Sequence, residues 1–159
     1  MGEIHDVTIN SDDEILILHQ IYVFKRRKIR KYSYLLKQFE ASSASMQFKR
    51  NKTSIYNEWP NRKGDRSCQV IIGDRAAYIN FNAIYLGIAN MDFNRRPFIE
   101  GEVYVLNLTK QTVTLMYDGR GCDLISPNAE LLGKYYKKLT NLILELNRPE
   151  ITQRLQVGS

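Results

Sequence analysis

From residue 102 to residue 147 the sequence reads as two strands, a tight polar turn and a helix. A chain carrying this run must build a sheet and lay a helix against it. Glu102–Leu108 and Thr112–Tyr117 are rich in β-branched and aromatic residues and flank Thr109-Lys110-Gln111, which predicts an antiparallel hairpin. In the first of these strands Val103 and Val105 fall on one face and Tyr104, Leu106 and Leu108 on the other, which suits a central place in the sheet. The turn that follows is Tyr117-Asp118-Gly119-Arg120-Gly121-Cys122-Asp123, leading into Leu124-Ile125. Gly119 and Gly121 tolerate turn backbone angles, and Asp118 suits the first position of a turn. Ser126 then offers an N-cap and Pro127 a first helical position. Leu131, Leu132, Tyr135, Tyr136, Leu139, Leu142, Ile143 and Leu146 recur at helical spacing, predicting a long helix over about 127–147.

The rest of the chain supplies further elements for the same sheet. Ile15–Phe24 is dense in β-formers and predicts a strand, with a helix as the rival reading because Leu16, His19, Gln20 and Val23 also share a helical face. His19 is expected to be a hydrogen-bonded core or edge residue rather than a metal ligand. Ile29, Tyr32, Leu35, Leu36 and Phe39 predict a basic amphipathic helix over about 28–40. Met46–Phe48 and Cys68–Gly73 predict short strands, and the residues around 80–90 a helix packed closely on the sheet. Asn51–Arg66 reads as the longest loop, with Trp59 as its anchor. A last short helix is expected at Ile151–Leu155. The expected architecture is α+β: a mainly antiparallel sheet with a central hairpin at about 102–118, packed by the long C-terminal helix and two shorter ones. A single domain over 1–159 is expected, since no repeat or linker divides the chain.

Charge is unevenly spread. Thirteen basic residues oppose three acidic ones between Lys25 and Arg66, a local +10, so the remainder carries −4 of the +6 total. This asymmetry suits an acidic partner or nucleic acid, and equally a solvated helix face and loop. The N-terminal residues lack the pattern of a signal peptide, and the longest apolar run is too short to span a bilayer. Cys68 and Cys122 form no disulfide framework, so the expected location is the cytoplasm, with both thiols free.

Asp118, Arg120 and Asp123 form the densest polar group beside core elements. Two carboxylates could hold a metal for phosphodiester hydrolysis, but an ion pair in which Arg120 folds back between Asp118 and Asp123 is the favoured reading. Cys122 would need His5 or His19 as a base, both remote in sequence. The two cysteines and two histidines are scattered singly, which does not suit zinc. Phosphate-loop, dinucleotide and nucleophile-elbow patterns are absent. The expectation is therefore no catalytic residue, no metal and no cofactor.

From Cys68 onward the sequence resembles a bacterial domain family of unknown function marked by Tyr-Asp-Asp-Arg-Gly-x-Asp, two β-formers and a Leu/Tyr-rich helix. The matching residues are Tyr117, Asp118, Arg120, Gly121, Asp123, Leu124 and Ile125. Upstream, Ile88–Phe93, Pro97 and Glu102–Val105 fit its lead-in, and downstream Leu131, Tyr135 and Tyr136 fit its helix. Gly119 stands where the family has a second aspartate, which weakens any mechanism needing adjacent carboxylates. The resemblance implies a compact α+β domain from bacteria, often a neighbour of toxins, and no reaction.

Together these features point to a non-enzymatic protein-binding module, an immunity or antitoxin protein that occludes a cognate toxin. The expected contacts are Lys25, Arg26, Arg27, Lys28, Arg30 and Lys31, then Trp59, Arg62 and Lys63 of the long loop, and Arg95 and Arg96. The turn Asp118, Gly119, Arg120, Gly121 and Asp123 is expected to be structural. A nucleic-acid-associated regulator using residues 25–66 is the first alternative, and a metal-dependent hydrolase centred on Asp118 and Asp123 the second. No membrane partner is expected.

Overall fold

The computed structural model describes residues 1–23, 33–40, 44–51, 66–118 and 120–156. Six antiparallel strands form one sheet: β1 (Glu14–Val23), β2 (Ser45–Asn51), β3 (Arg66–Arg75), β4 (Glu102–Asn107), β5 (Thr112–Met116) and β6 (Cys122–Ile125). Their order is β2-β3-β1-β4-β5-β6, so the expected α+β architecture with a mainly antiparallel sheet is what the chain forms. β1 pairs with β3 along its whole length, from Glu14 opposite Arg75 to Val23 opposite Arg66, and with β4 from Ile15 to Gln20.

The helices are α1 (Gly2–Thr8), α2 (Ser33–Leu36), α3 (Phe81–Asp92), α4 (Ala129–Lys138) and α5 (Arg148–Gln156). One sheet face carries the core. Alternate residues Ile15, Ile17 and Ile21 of β1, Cys68, Val70 and Ile72 of β3, and Val103 and Val105 of β4 are buried there. Phe81, Ile84, Tyr85 and Ile88 of α3 and Leu35 of α2 join most of them in one cluster. Each such side chain contributes about 1.5–3 kcal/mol on burial. Gly87 permits the close approach of α3, because a Cβ there would stand 3.0 Å from Ile99 and from the Tyr34 ring. His19 also lies in this core, its Nε2 2.8 Å from the Glu100 carbonyl oxygen.

The C-terminal helix differs from the expectation. It is capped by Asn128, whose side chain accepts the Leu131 N–H at 2.9 Å, not by Ser126. It ends at Lys138 and gives way to 3-10 turns at Thr140–Leu142 and Glu145–Asn147. The physical reason is local: Arg148 donates to the Thr140 carbonyl and hydroxyl at 2.6 and 2.8 Å, satisfying a carbonyl that a continuing helix would use. Leu144 and Leu146 are consequently exposed at 68% and 88%. The last helix, expected at Ile151–Leu155, starts earlier, at Arg148-Pro149, where proline fits the first turn. The strands around Met46–Phe48 and Cys68–Gly73 are longer than expected, and α1 was not expected at all. Of the basic helix predicted over 28–40, the described part is helical only at Ser33–Leu36.

Candidate functional site

The β5–β6 turn is built on Asp118. Its carboxylate accepts the Arg120 N–H at 2.7 Å and the Arg120 Nε–H at 2.9 Å, and Tyr117 N–H closes the loop onto the Gly121 carbonyl at 3.2 Å. The side-chain bond from Arg120 is the main reason the Asp118 carboxyl sits below its usual pKa. Asp123 takes a different partner from the one expected. It accepts the Tyr117 hydroxyl, and this bond is the first cause of the Tyr117 pKa being pushed up to about 12. The register explains the choice: Asp123 lies opposite Leu115, on the face that Tyr117 shares two residues further on. Arg120 therefore braces the turn through Asp118, and its side chain is 89% exposed.

Beside this turn lies the C-terminal end of α3, where Asp92 is close enough to favour the charged form of Arg120. The chain leaves the helix through Asn94, in the left-handed region at φ 49°. Arg95 N–H and Asn94 N–H bond back to the Asn90 and Met91 carbonyls at 3.0 and 3.1 Å, and Asn90 Nδ2 donates to the Pro97 carbonyl at 2.9 Å. This holds Phe93 outward, 67% exposed, with the Arg95 guanidinium 5.6 Å from its ring centre. Arg95 and Arg96 are exposed, so the corner presents two guanidinium groups and an aromatic ring on a fixed loop.

Of the expected contact residues, Lys25, Arg26, Arg27, Lys28, Arg30, Lys31, Trp59, Arg62 and Lys63 lie outside the described residues, as does Gly119 of the turn. Among the described residues no group of three or more His, Cys, Asp or Glu is placed to hold a metal ion. Cys68 and Cys122 are free thiols. Burial raises the Cys122 pKa against an opposing pull from the N-terminal amine, which keeps it a thiol at neutral pH. The fold does bring His5 inward: its Nδ1 lies 3.3 Å from the Tyr85 hydroxyl and its ring 4.7 Å from that of Phe81.

Sequence reasoning missed a buried ionic cluster. Asp13 Oδ2 receives the Asn10 N–H at 2.8 Å, Asn107 Nδ2 at 2.7 Å and Lys110 Nζ at 2.9 Å. Lys110 Nζ also donates to the Thr8 carbonyl at 3.1 Å, and Lys110 N–H to Asn107 Oδ1 at 2.9 Å. The cluster fastens the end of α1 and the start of β1 to the β4–β5 hairpin. Its members are spread along the chain, and the one local clue is an asparagine preceding a Thr-Lys turn.

The sheet face turned away from the core is also apolar. One cross-strand row runs Gly73, Leu16, Leu106, Val113 and Ile125, and the next Ile71, Leu18, Tyr104, Leu115 and Asp123. The apolar side chains are half-buried, except Ile125 at 62% exposure. A third row is polar: Gln69 Nε2 donates to Gln20 Oε1 at 2.9 Å, and Tyr104 OH to Glu102 Oε2 at 2.9 Å.

No helix among the described residues is long and apolar enough to cross a membrane. Residues 2–147 match the family described as "Domain of unknown function (DUF3885)", and the chain belongs to that family. No curated protein and no solved structure matches it.

Proposed function

We propose that this chain is a non-enzymatic protein-binding module, a bacterial cytoplasmic immunity protein that neutralises a partner toxin by occlusion. The observation that carries the reading is the corner at the end of α3. There Phe93 projects from a loop tied by the Asn90 bonds, with Arg95 over its ring and the exposed Arg96 next in the chain. Arginine and aromatic side chains on a rigid loop are the residue types that dominate protein interfaces, and exposed guanidinium groups steer an acidic partner. The carboxylates of the neighbouring turn are engaged by Arg120 and Tyr117, which supports a bracing role for Asp118 and Asp123 over a hydrolytic one.

The test is a native pull-down with the full chain at moderate salt, after nuclease treatment, run beside Phe93→Ala and Arg96→Glu. The reading expects one stoichiometric protein partner whose capture both variants weaken. A partner lost on nuclease treatment would move the assignment to nucleic acid and to residues 25–66, whose charge suits phosphates.

A further inference from the structure

We infer that the outer face of α3 continues the Phe93 corner and takes an acidic protein partner that lays apolar side chains along it, which rests on the binding reading above. Ile84, Tyr85 and Ile88 turn one side of this helix into the core. Asn82, Leu86, Ala89 and Phe93 follow one another at spacings of four, three and four, so they line the opposite side. Leu86 is 55% exposed and Phe93 67%. A helix with one side in the core ordinarily shows charged side chains to water on the other. α3 does not: no charged residue occurs from Ala76 to Met91, and Asp92 is the helix's single charge. Exposed apolar side chains gathered on one uncharged face mark an interaction surface.

Charge selects the occupant. The line through Leu86 and Phe93 ends at Arg95 and Arg96, both exposed beyond the turn at Asn94. Among the described residues neither arginine makes a salt bridge. Asp92, the one carboxylate between residues 76 and 96, lies close enough to Arg120 to favour its charged form. A second copy would bring the same two arginines and the same single carboxylate, on a chain of net charge +6, so it does not supply the complement. A partner with carboxylates at one end of an apolar ridge does. Leu86 and Phe93, about 10 Å apart along the helix, then anchor the ridge, and the arginines fix its direction.

The test is calorimetric titration of the full chain with the protein captured in the pull-down, at low and at moderate salt. Leu86→Lys should weaken binding at least about tenfold with the circular dichroism spectrum unchanged. Leu108→Lys, at a leucine 47% exposed in the β4–β5 turn, should leave it as it was. Arg95→Gln with Arg96→Gln should weaken binding and reduce its dependence on salt. If Phe93→Ala weakens binding and Leu86→Lys does not, the corner stands and its extension along α3 is overturned. If the partner binds and neither change matters, both surfaces are wrong. An unaltered salt dependence removes the acidic partner. Capture of no protein, or self-association in sedimentation equilibrium that Leu86→Lys abolishes, would also overturn the inference.

Discussion

Lys110 Nζ lies 2.9 Å from Asp13 Oδ2, with the Asp13 side chain only 3% exposed. Removing one partner of a buried pair leaves an uncompensated charge, whose cost exceeds what the pair itself contributes. Lys110→Met should therefore lower the unfolding free energy by about 3 kcal/mol, measured by urea denaturation. Asp13→Asn combined with Lys110→Met should cost less than the two single changes added together, since the double variant buries no charge.

Stability should fall on mild acidification. Burial, partly opposed by the bond to the Glu100 carbonyl, holds the His19 pKa below its usual 6.5, and burial likewise lowers His5. In the unfolded chain both titrate near 6.5, so below that pH the unfolded state takes up protons that the folded state refuses. Their contribution is complete above about pH 7 and is lost as pH falls through the unfolded value. Urea midpoints at descending pH should show this decline. His19→Gln, which can still donate to Glu100, should flatten it, leaving the part due to His5.

A second loss follows at lower pH. Burial alone would raise the Asp13 pKa, but the bonds from Asn10, Lys110 and Asn107 outweigh it and the net shift is downward. A depressed carboxyl stabilises above its unfolded value of about 3.9 and loses that contribution as pH falls through the folded one. Lys110→Met should shrink this acid limb and leave the His19 part of the histidine limb in place, while weakening the His5 part, since the Lys110 charge helps to lower that pKa.

Gly101 has φ 101°, and a Cβ there would stand 2.2 Å from the Gln20 backbone oxygen. Neither atom can move without opening the β1–β4 pairing. Gly101→Ala should cost about 3 kcal/mol, read as a lower thermal midpoint.

Tyr117 should ionise near 12 because its hydroxyl is held by the Asp123 carboxylate. Carbon-13 tyrosine NMR should follow that titration, and Asp123→Asn should return it towards about 10. Asp118→Ala should leave it unmoved, since Asp118 is engaged by Arg120.

Legibility in the sequence followed locality. The β4–β5 hairpin was readable because its residues and its short turn are adjacent, and the α3 helix because its apolar spacing lies within twelve residues. β3 extends to Arg66 and Arg75 because β1 offers ten residues to pair with, a length its own polar ends do not announce. α1 is seven residues, too short to stand alone, and it is held by His5 against Tyr85 and Phe81, some 80 residues away in sequence. The apolar spacing through Leu146 suggested one long helix, yet Arg148 caps it near Thr140 by a contact that periodicity cannot encode. At the candidate site the turn and its Asp118–Arg120 bond were within reach of local reasoning. The Tyr117–Asp123 pairing needed the register of β6, and the Phe93–Arg95 stacking needed the left-handed turn at Asn94.

The central claim, that the Phe93 corner occludes a toxin, is tested most directly by growth rescue. The captured partner is expressed from an inducible promoter in a bacterial host, together with this chain or its Phe93→Ala/Arg96→Glu variant. The account predicts that the partner alone arrests growth, that the wild-type chain restores it, and that the variant, folded by circular dichroism, does not. A partner that leaves growth unaffected, or a variant that protects as well as the wild type, would contradict it.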